Sequence, residues 1–254
     1  MSEPLAGRVA LVTGAGNGLG RAIARALSAA GARVLLVGRD ADKLAKTLAL
    51  LSNTGRAAVA DVADVDSVAA LRTELAGEDV DILVNNAGVG GPVAPLTEIE
   101  PADWDAVFAA NVRGMFLVCK AFLPAMIENG RGDVINIASV TGKRPLARRT
   151  PYAASKMAVL GLTRTLAAEV GPLGVTVNAL SPGPVRGARM DRNFRLEAEV
   201  TGQTVAAAHD AFVSWAALHR LVEEDEVGAA AVAMLAMPGL CGADIDLSAG
   251  MIAP

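Results

Sequence analysis

Thr13-Gly14-Ala15-Gly16-Asn17-Gly18-Leu19-Gly20 is the stretch of this sequence that decides the fold. It follows an apolar run at residues 9–12 and precedes an alanine-rich segment with helical composition. Glycines here permit a tight turn between strand and helix, and they let backbone N–H groups approach a pyrophosphate at the helix N-terminus. The alternative is a glycine-rich turn that only packs a strand on a helix, because such strings recur by chance. The residues predicted to bind a dinucleotide in this turn are Gly14, Asn17, Gly18, Leu19 and Gly20.

Short β-branched runs alternate with longer helical segments along the chain, a pattern typical of βαβ units and a parallel sheet. Strands are predicted at residues 9–12, 33–37, 57–60, 82–84, 134–137, 175–179 and 245–247. Helices are predicted at 21–30, 41–51, 65–76, 101–128, 151–170 and 224–236, with Gly31 and Gly171 ending two of them. We expect an α/β fold with one doubly wound, seven-stranded sheet in a single domain of residues 1–254. The segment from about residue 184 to residue 221 has no strand pattern, and we predict a substrate-loop insertion there.

Composition excludes several classes of function. The net charge of −4 and the pI of about 5.3 give no general attraction to nucleic acid or to an anionic membrane. Cys119 and Cys241 have no spacing typical of a metal site or a disulfide framework, so we expect no metal and a reducing cytoplasm. Residues 1–8 lack the basic and apolar segments of a secretory signal, and no uninterrupted apolar run reaches the ~18 residues of a membrane span. We therefore expect a soluble, cytoplasmic protein.

Tyr152 is the only tyrosine of the chain, and it lies four residues before Lys156 and thirteen after Ser139. On a helix, residues four apart share a face, so the ammonium can stabilise the phenolate. A positive charge at about 4 Å is worth roughly 4 kcal/mol at an effective dielectric of 20, or up to about 3 pKa units. Tyr152 could then exchange a proton with an alcohol near neutral pH while Ser139 binds the substrate oxygen. The alternative is a surface tyrosine and lysine on an amphipathic helix, with Ser139 as a cap.

Further polar residues follow the predicted strands. Arg39 comes after Gly38, where a fold that prefers NAD usually has an acid, and its guanidinium suits the 2′-phosphate of NADP. We favour NADP(H) and leave NAD(H) possible, since Arg39 could simply begin a helix. Asp61 and Val62 could hold an adenine, although an aspartate there could also be a helix N-cap. Asn86, Ala87 and Gly88 could line a cofactor or form a turn.

Taken together, these motifs resemble the short-chain dehydrogenase/reductase family over almost the whole chain. The shared positions are Thr13 to Gly20, Asp61-Val62, Asn85 to Gly88, Asn111, Ser139, Tyr152, Lys156 and Pro182-Gly183-Pro184-Val185. The resemblance implies a seven-stranded Rossmann fold and a homotetramer or homodimer. It also implies that Asn111, Ser139, Tyr152 and Lys156 are catalytic, that Asn111 holds a water linked to the lysine, and that Tyr152, Lys156, Pro182, Gly183 and Val185 contact the cofactor. Two departures are Gly187, where the family usually has threonine, and Ser248-Ala249-Gly250, where it has Asp-Gly-Gly.

Basic residues surround the predicted site in two groups: Lys143, Arg144, Arg148 and Arg149, and then Arg186, Arg189, Arg192 and Arg195. They suggest a small-molecule substrate with an anionic group, although a charge run more often just solvates a helix face. The residues expected to line the substrate pocket are Ser139, Thr141, Leu146, Arg149, Met190 and Phe194. The leading interpretation is an oxidoreductase that interconverts a secondary alcohol and a ketone. The alternatives are a 3-oxoacyl thioester reductase and a non-catalytic dinucleotide sensor.

Overall fold

The computed structural model describes residues 3–252 and contains one sheet of seven parallel strands in the order β3-β2-β1-β4-β5-β6-β7. The strands are β1 Val9–Thr13, β2 Arg33–Gly38, β3 Gly55–Val59, β4 Ile82–Asn85, β5 Gly132–Ile137, β6 Val175–Pro182 and β7 Asp244–Leu247. All seven predicted strands are present. Their bounds differ from the predicted ones by up to three residues, the largest difference being the continuation of β6 to Pro182.

The α-helices are α1 Gly18–Ala29, α2 Ala41–Leu48, α3 Val65–Glu74, α4 Pro101–Phe108, α5 Gly114–Glu128, α6 Thr150–Val170, α7 Ala188–Thr201, α8 Val205–Ser214 and α9 Glu224–Leu235. The helix predicted at 101–128 is interrupted, because residues 109–113 form a π-helical turn between α4 and α5. Gly31 follows α1 with a left-handed φ of +102°, as predicted. Gly171 is the C-cap residue of α6, as predicted, and the chain continues from it as a 3₁₀ turn that ends at the left-handed Gly174.

Two apolar layers cover the sheet. One face packs on α3, α5 and α6, and the other packs on α1 and α9. The second layer requires small residues, because a Cβ on Gly228 of α9 would lie 2.8 Å from the carbonyl oxygen of Ala22 in α1. The two layers fix the helices against the sheet. Because the strands are parallel, the loops that follow β1, β4, β5 and β6 lie together along the edge of the sheet formed by the carboxyl ends of the strands.

Within the described residues, the helical stretch Pro101–Glu128 is long and apolar enough to cross a membrane when judged by length and composition alone. Its apolar residues include Val118, Phe122 and Met126, which are buried in the core beneath the sheet. Burial in a globular core therefore accounts for the composition of this stretch.

Candidate active site

The glycine-rich turn packs directly against the loop that follows β4. A Cβ on Gly20 would lie 2.2 Å from the carbonyl oxygen of Gly14 and 2.5 Å from the Asn86 amide nitrogen, so no larger residue fits. Gly14 is similarly enclosed, with the same amide nitrogen 2.9 Å from its Cβ position. Gly18 differs, because it has a φ of +50° and meets only a Glu224 carboxylate oxygen 3.6 Å away. The turn thus leaves its backbone open at the N-terminus of α1, and it fits a pyrophosphate.

Thr13 joins this turn to the β4 loop. Its buried hydroxyl accepts hydrogen bonds from the backbone N–H groups of Asn86 and Ala87, both at 3.0 Å. The Asn86 side chain donates in return to the Thr13 carbonyl oxygen at 2.9 Å. Sequence reasoning did not assign Thr13 this role, although a hydroxyl at the end of an apolar strand was a usable signal. Asn86 therefore connects the loop after β4 to the glycine-rich turn by hydrogen bonds, and Ala87 lies next to it.

Asn17 is exposed to solvent, whereas Leu19 lies against the core. Asn17 occupies the N-cap position of α1 with an extended backbone, and its exposed side chain makes no cap hydrogen bond. Leu19 packs partly against the core on the α1 side. Hence Asn17 is the side chain of this turn that remains available to a ligand.

The departure at Gly187 is explained by a side chain from α9. The Glu224 carboxylate lies 2.7 Å from the position of a Cβ on Gly187, and Gly187 has a φ of +145°, a conformation that favours glycine. Burial raises the pKa of Glu224, opposed by Arg21 and reinforced by the neighbouring acids. A carboxylate from α9 therefore occupies the space into which a side chain at position 187 would extend.

The expected adenosine end lies beside β2 and β3. Arg39 and Asp61 are both partly exposed, with the guanidinium 3.7 Å from the carboxylate. Asp61 also accepts a hydrogen bond from the backbone of Ala63 at 2.9 Å, which orders the turn after β3. Val62 is 8% exposed and packs closely on Gly114 of α5. The structure thus gives Val62 mainly a packing contact, while Arg39 and Asp61 remain accessible.

On the opposite side of the sheet from β2 and β3, the loop after β6 contacts β7 and the segment before α9. The Gly183 N–H donates to the Leu247 carbonyl at 2.9 Å, and Val185 bridges to Val222. A Cβ on Gly183 would lie 2.9 Å from the Cα of Ser248, which explains the glycine after Pro182. The predicted cofactor-contacting residues of this loop are Pro182, Gly183 and Val185.

Asn111 is placed by the π-helical turn between α4 and α5. Its buried side chain accepts from the Val89 N–H at 2.7 Å and donates to the Val89 carbonyl and the Ser155 hydroxyl, both at 3.0 Å. A Cβ on Gly88 would lie 2.8 Å from the Asn111 oxygen. Asn111 therefore ties the β4 loop to α6, and its water-mediated link to the lysine stays a prediction.

Ser139, Tyr152 and Lys156 converge where β5 meets α6. Lys156 is 4% exposed, its ammonium donates to the Ile137 carbonyl at 2.7 Å, and its nitrogen lies 5.7 Å from the centre of the Tyr152 ring. The buried Ser139 hydroxyl accepts from the Thr141 N–H at 3.2 Å. Helical spacing and the end of β5 thus bring together the three residues that the sequence separates.

The positive charges around Tyr152 decide its acidity. Burial would raise the pKa of Tyr152, but Lys156, Arg189, a hydrogen bond with Ser139, and Arg149 lower it, so the pKa lies below the ordinary value for tyrosine. Burial also lowers the pKa of Lys156, a shift that the phenol opposes. The sequence spacing indicates only the contribution of Lys156 to this effect. The pair is suited to exchanging a proton with a bound alcohol or ketone.

A cleft of about 510 Å³ opens between the loop before α6 and the helical insertion. Of the six residues expected to line the substrate pocket, Leu146 lies in the wall of this cleft, whereas Ser139, Thr141 and Arg149 lie outside it. Met190 and Phe194 are buried instead in the core of the insertion, where Phe194 packs edge-on against Phe212. These two therefore form no part of the cleft wall. The residues that line the cleft are Arg144, Pro145, Leu146, Ala147, Arg148, Glu197 and Trp215.

Known proteins share both the sequence and this architecture. The chain is 40% identical over 228 residues to granaticin polyketide synthase putative ketoacyl reductase 1 of Streptomyces violaceoruber, which covers 87% of this chain and 84% of that protein. A variant of actinorhodin polyketide ketoreductase with NADPH superposes with a TM-score of 0.92 at 31% identity, covering 99% of both chains. NAD⁺-bound xylitol dehydrogenase superposes with a TM-score of 0.91 at 29% identity, covering 96% of this chain and 98% of that chain.

The family described as short chain dehydrogenase matches residues 8–199. That range contains the glycine-rich turn, Asn111, Ser139, Tyr152 and Lys156, and it includes β1 to β6, six of the seven strands of the sheet. The chain therefore belongs to the short-chain dehydrogenase family of enzymes, which act on CH–OH and C=O groups with a nicotinamide cofactor.

Proposed function

We propose that this enzyme transfers hydride between NADP(H) and a secondary alcohol or ketone, with Tyr152 as the proton-transfer group. The observation that supports the proposal most strongly is the position of the buried Lys156, whose nitrogen lies 5.7 Å from the centre of the Tyr152 ring and whose charge lowers the pKa of the phenol. Both residues lie at the edge of the sheet that also carries the glycine-rich turn. A phenol with its ordinary pKa near 10 is a poor base at neutral pH, so this arrangement has a direct chemical use.

The chemistry divides between the cofactor and the side chains. A bound nicotinamide supplies the hydride acceptor for oxidation and the hydride donor for reduction. When an alcohol is oxidised, the Tyr152 phenolate would accept the hydroxyl proton. When a ketone is reduced, the Tyr152 phenol would donate that proton to the carbonyl oxygen. Ser139 donates a hydrogen bond to the substrate oxygen, and Lys156 keeps the phenol acidic. A turnover screen of secondary alcohols and ketones with both nicotinamides tests this proposal.

Arg39 is proposed to select NADP by binding its 2′-phosphate. We expect Arg39→Asp to change the ratio of the dissociation constants for NADP and NAD by at least about tenfold in favour of NAD, because a charge-assisted hydrogen bond is lost and a like charge is added. Titration of both cofactors by calorimetry measures this ratio. Arg164→Asp, on the exposed side of α6, is the charge-matched control. An unchanged ratio in Arg39→Asp would show that Arg39 does not contact the phosphate.

A second candidate is reduction of a 3-oxoacyl thioester, favoured by the similarity to a protein named as a putative ketoacyl reductase. Turnover of acetoacetyl-coenzyme A by this enzyme, faster than that of simple ketones, would support it. A non-catalytic dinucleotide sensor would have no need of Tyr152 and Lys156 in this arrangement, and it would lack turnover with every alcohol and ketone.

We also propose that the chain forms a homodimer or homotetramer. The outer sides of α5 and α6 leave Phe116 and Met157 each 48% exposed. Exposed apolar side chains such as these are compatible with burial against another copy of the chain. Light scattering measures the mass in solution.

A further inference from the structure

The eight basic residues around the site differ in the groups with which their side chains interact. Lys143 lies at the sheet edge, where its ammonium contacts Asp244 at 2.7 Å and also contacts Asp246. Arg148 forms an ion pair with Glu197 of α7. These pairs connect the loop before α6 to β7 and to the insertion, so their charges are neutralised within the protein.

Three further cations have contacts of their own. Arg186 pairs with Glu223 at 2.9 Å. The guanidinium of Arg144 lies 4.3 Å from the ring centre of Trp215, a cation–π contact. Arg189 donates to the Gly88 carbonyl at 2.8 Å and so joins α7 to the β4 loop. Arg192 and Arg195 are exposed on α7, where water can solvate them.

Arg149 is the exception. Its side chain belongs to a residue that is only 7% exposed, yet among residues 3–252 the guanidinium has neither a carboxylate within 4.0 Å nor a hydrogen-bond acceptor. Fully enclosed side-chain nitrogen or oxygen atoms without a partner occur in the described chain only at Asn85 and at the Nε of Arg148. The Arg149 nitrogens are therefore not fully enclosed, and they keep some exposure to solvent.

The guanidinium lies near the loop after β4 and close enough to Tyr152 for its charge to lower the pKa of the phenol. One terminal nitrogen lies 3.8 Å from the Cβ position of Gly90 in the β4 loop, and Arg149 immediately precedes α6 and is three residues before Tyr152. Arg148, the residue before Arg149, has a left-handed backbone conformation with a φ of +63°. Its carbonyl oxygen accepts a hydrogen bond from the Ala94 N–H at 3.2 Å. The backbone of this turn therefore directs Arg149 inward between α6 and the β4 loop.

A guanidinium with so little exposure and no hydrogen-bond partner is only partly hydrated, and a carboxylate ligand would supply the hydrogen bonds that it lacks. We propose that Arg149 is the specificity-determining residue of the proposed oxidoreductase, and that it binds a carboxylate of the substrate. The substrate class is then a keto acid or hydroxy acid whose carbonyl or hydroxyl oxygen reaches Tyr152 while its carboxylate pairs with Arg149. This inference rests on the proposed function, because it assigns the far end of the same substrate.

The test compares each keto acid with its uncharged amide. We would measure kcat/KM for acetoacetate against acetoacetamide and for levulinate against levulinamide, with wild type, Arg149→Met and the control Arg195→Met. For at least one pair, wild type is expected to prefer the acid by roughly ten- to a hundredfold, the range of a charge-assisted bidentate contact. Arg149→Met should bring that ratio close to one by raising KM for the acid, while the control keeps the wild-type ratio.

A merely structural role for Arg149 would lower both rates together and leave the ratio unchanged. Equal wild-type rates for acid and amide, or a ratio unchanged by Arg149→Met, would overturn the inference while leaving the oxidoreductase assignment intact. A second readout, which needs no turnover, is the pKa of Tyr152 measured from the ultraviolet absorbance of tyrosinate as the pH rises. Saturating levulinate should raise this pKa in wild type, because its carboxylate neutralises Arg149, and it should leave the pKa of Tyr152 unchanged in Arg149→Met. An equal response in both proteins would also contradict the inference. If wild type turned over neither acid nor amide but levulinate still raised the pKa of Tyr152 in wild type and not in Arg149→Met, the binding of a carboxylate by Arg149 would stand. The proposed function would then be refuted.

Discussion

Tyr152→Phe is expected to reduce kcat by about 10²- to 10⁴-fold, the usual contribution of general acid–base catalysis, while the dissociation constant for NADPH changes by less than about threefold. The substitution removes only the hydroxyl group, and the ring keeps its place between Ser139 and Lys156. Steady-state kinetics with the best alcohol or ketone of the screen, together with fluorescence titration of NADPH, measures both quantities.

The matched control for this variant lies on the same helix. Met157→Leu alters an exposed apolar side chain next to Lys156 and is expected to leave kcat within about twofold of wild type. If Tyr152→Phe retained more than a tenth of the wild-type kcat, proton transfer would have to be assigned to another group.

Gly20→Ala is expected to weaken NADP(H) binding by at least about tenfold and to lower the free energy of unfolding by about 1–3 kcal/mol. The added methyl group would lie 2.2 Å from the Gly14 carbonyl oxygen and 2.5 Å from the Asn86 amide, so the phosphate turn must move away from the β4 loop. Calorimetric titration and denaturant unfolding measure the two effects.

Gly161→Ala provides the control, because this exposed glycine of α6 has no atom within 4 Å of its Cβ position outside the local helix backbone. Alanine should stabilise that helix by about 0.5–1 kcal/mol and leave cofactor affinity unchanged. Wild-type affinity in Gly20→Ala would mean that the turn does not hold the pyrophosphate as proposed.

The fold was largely predictable because local patterns and global architecture agree. The apolar runs around Val12, Leu35 and Val84 are buried on both faces of the sheet, which is why they appear as continuous apolar segments in the sequence. The π-helical turn was not predictable, since residues 109–113 continue the helical pattern of their neighbours. What distinguishes that turn is the tertiary contact of Asn111 with Val89 and Ser155.

The site was predictable in part. Tyr152 and Lys156 could be paired from their spacing, because residues four apart share a helix face. The contribution of Arg189 to the acidity of Tyr152 depends on how α7 lies over the β4 loop, which sequence spacing does not encode. For the same reason, Phe194 was expected in the pocket but lies in the core of the insertion: helical spacing gives the apolar face of α7 without its partner.

The central claim is that Tyr152 is an unusually acidic phenol because Lys156 lies beside it. Since the chain contains a single tyrosine, the ultraviolet absorbance of tyrosinate in the folded protein reports this residue alone. Titration of wild type with rising pH should give a midpoint below the ordinary value of about 10, because the folded site favours the phenolate. In Lys156→Met the midpoint should move upward, as burial is then less opposed by positive charge. A wild-type midpoint at or above 10, or one that Lys156→Met leaves unchanged, would contradict the account.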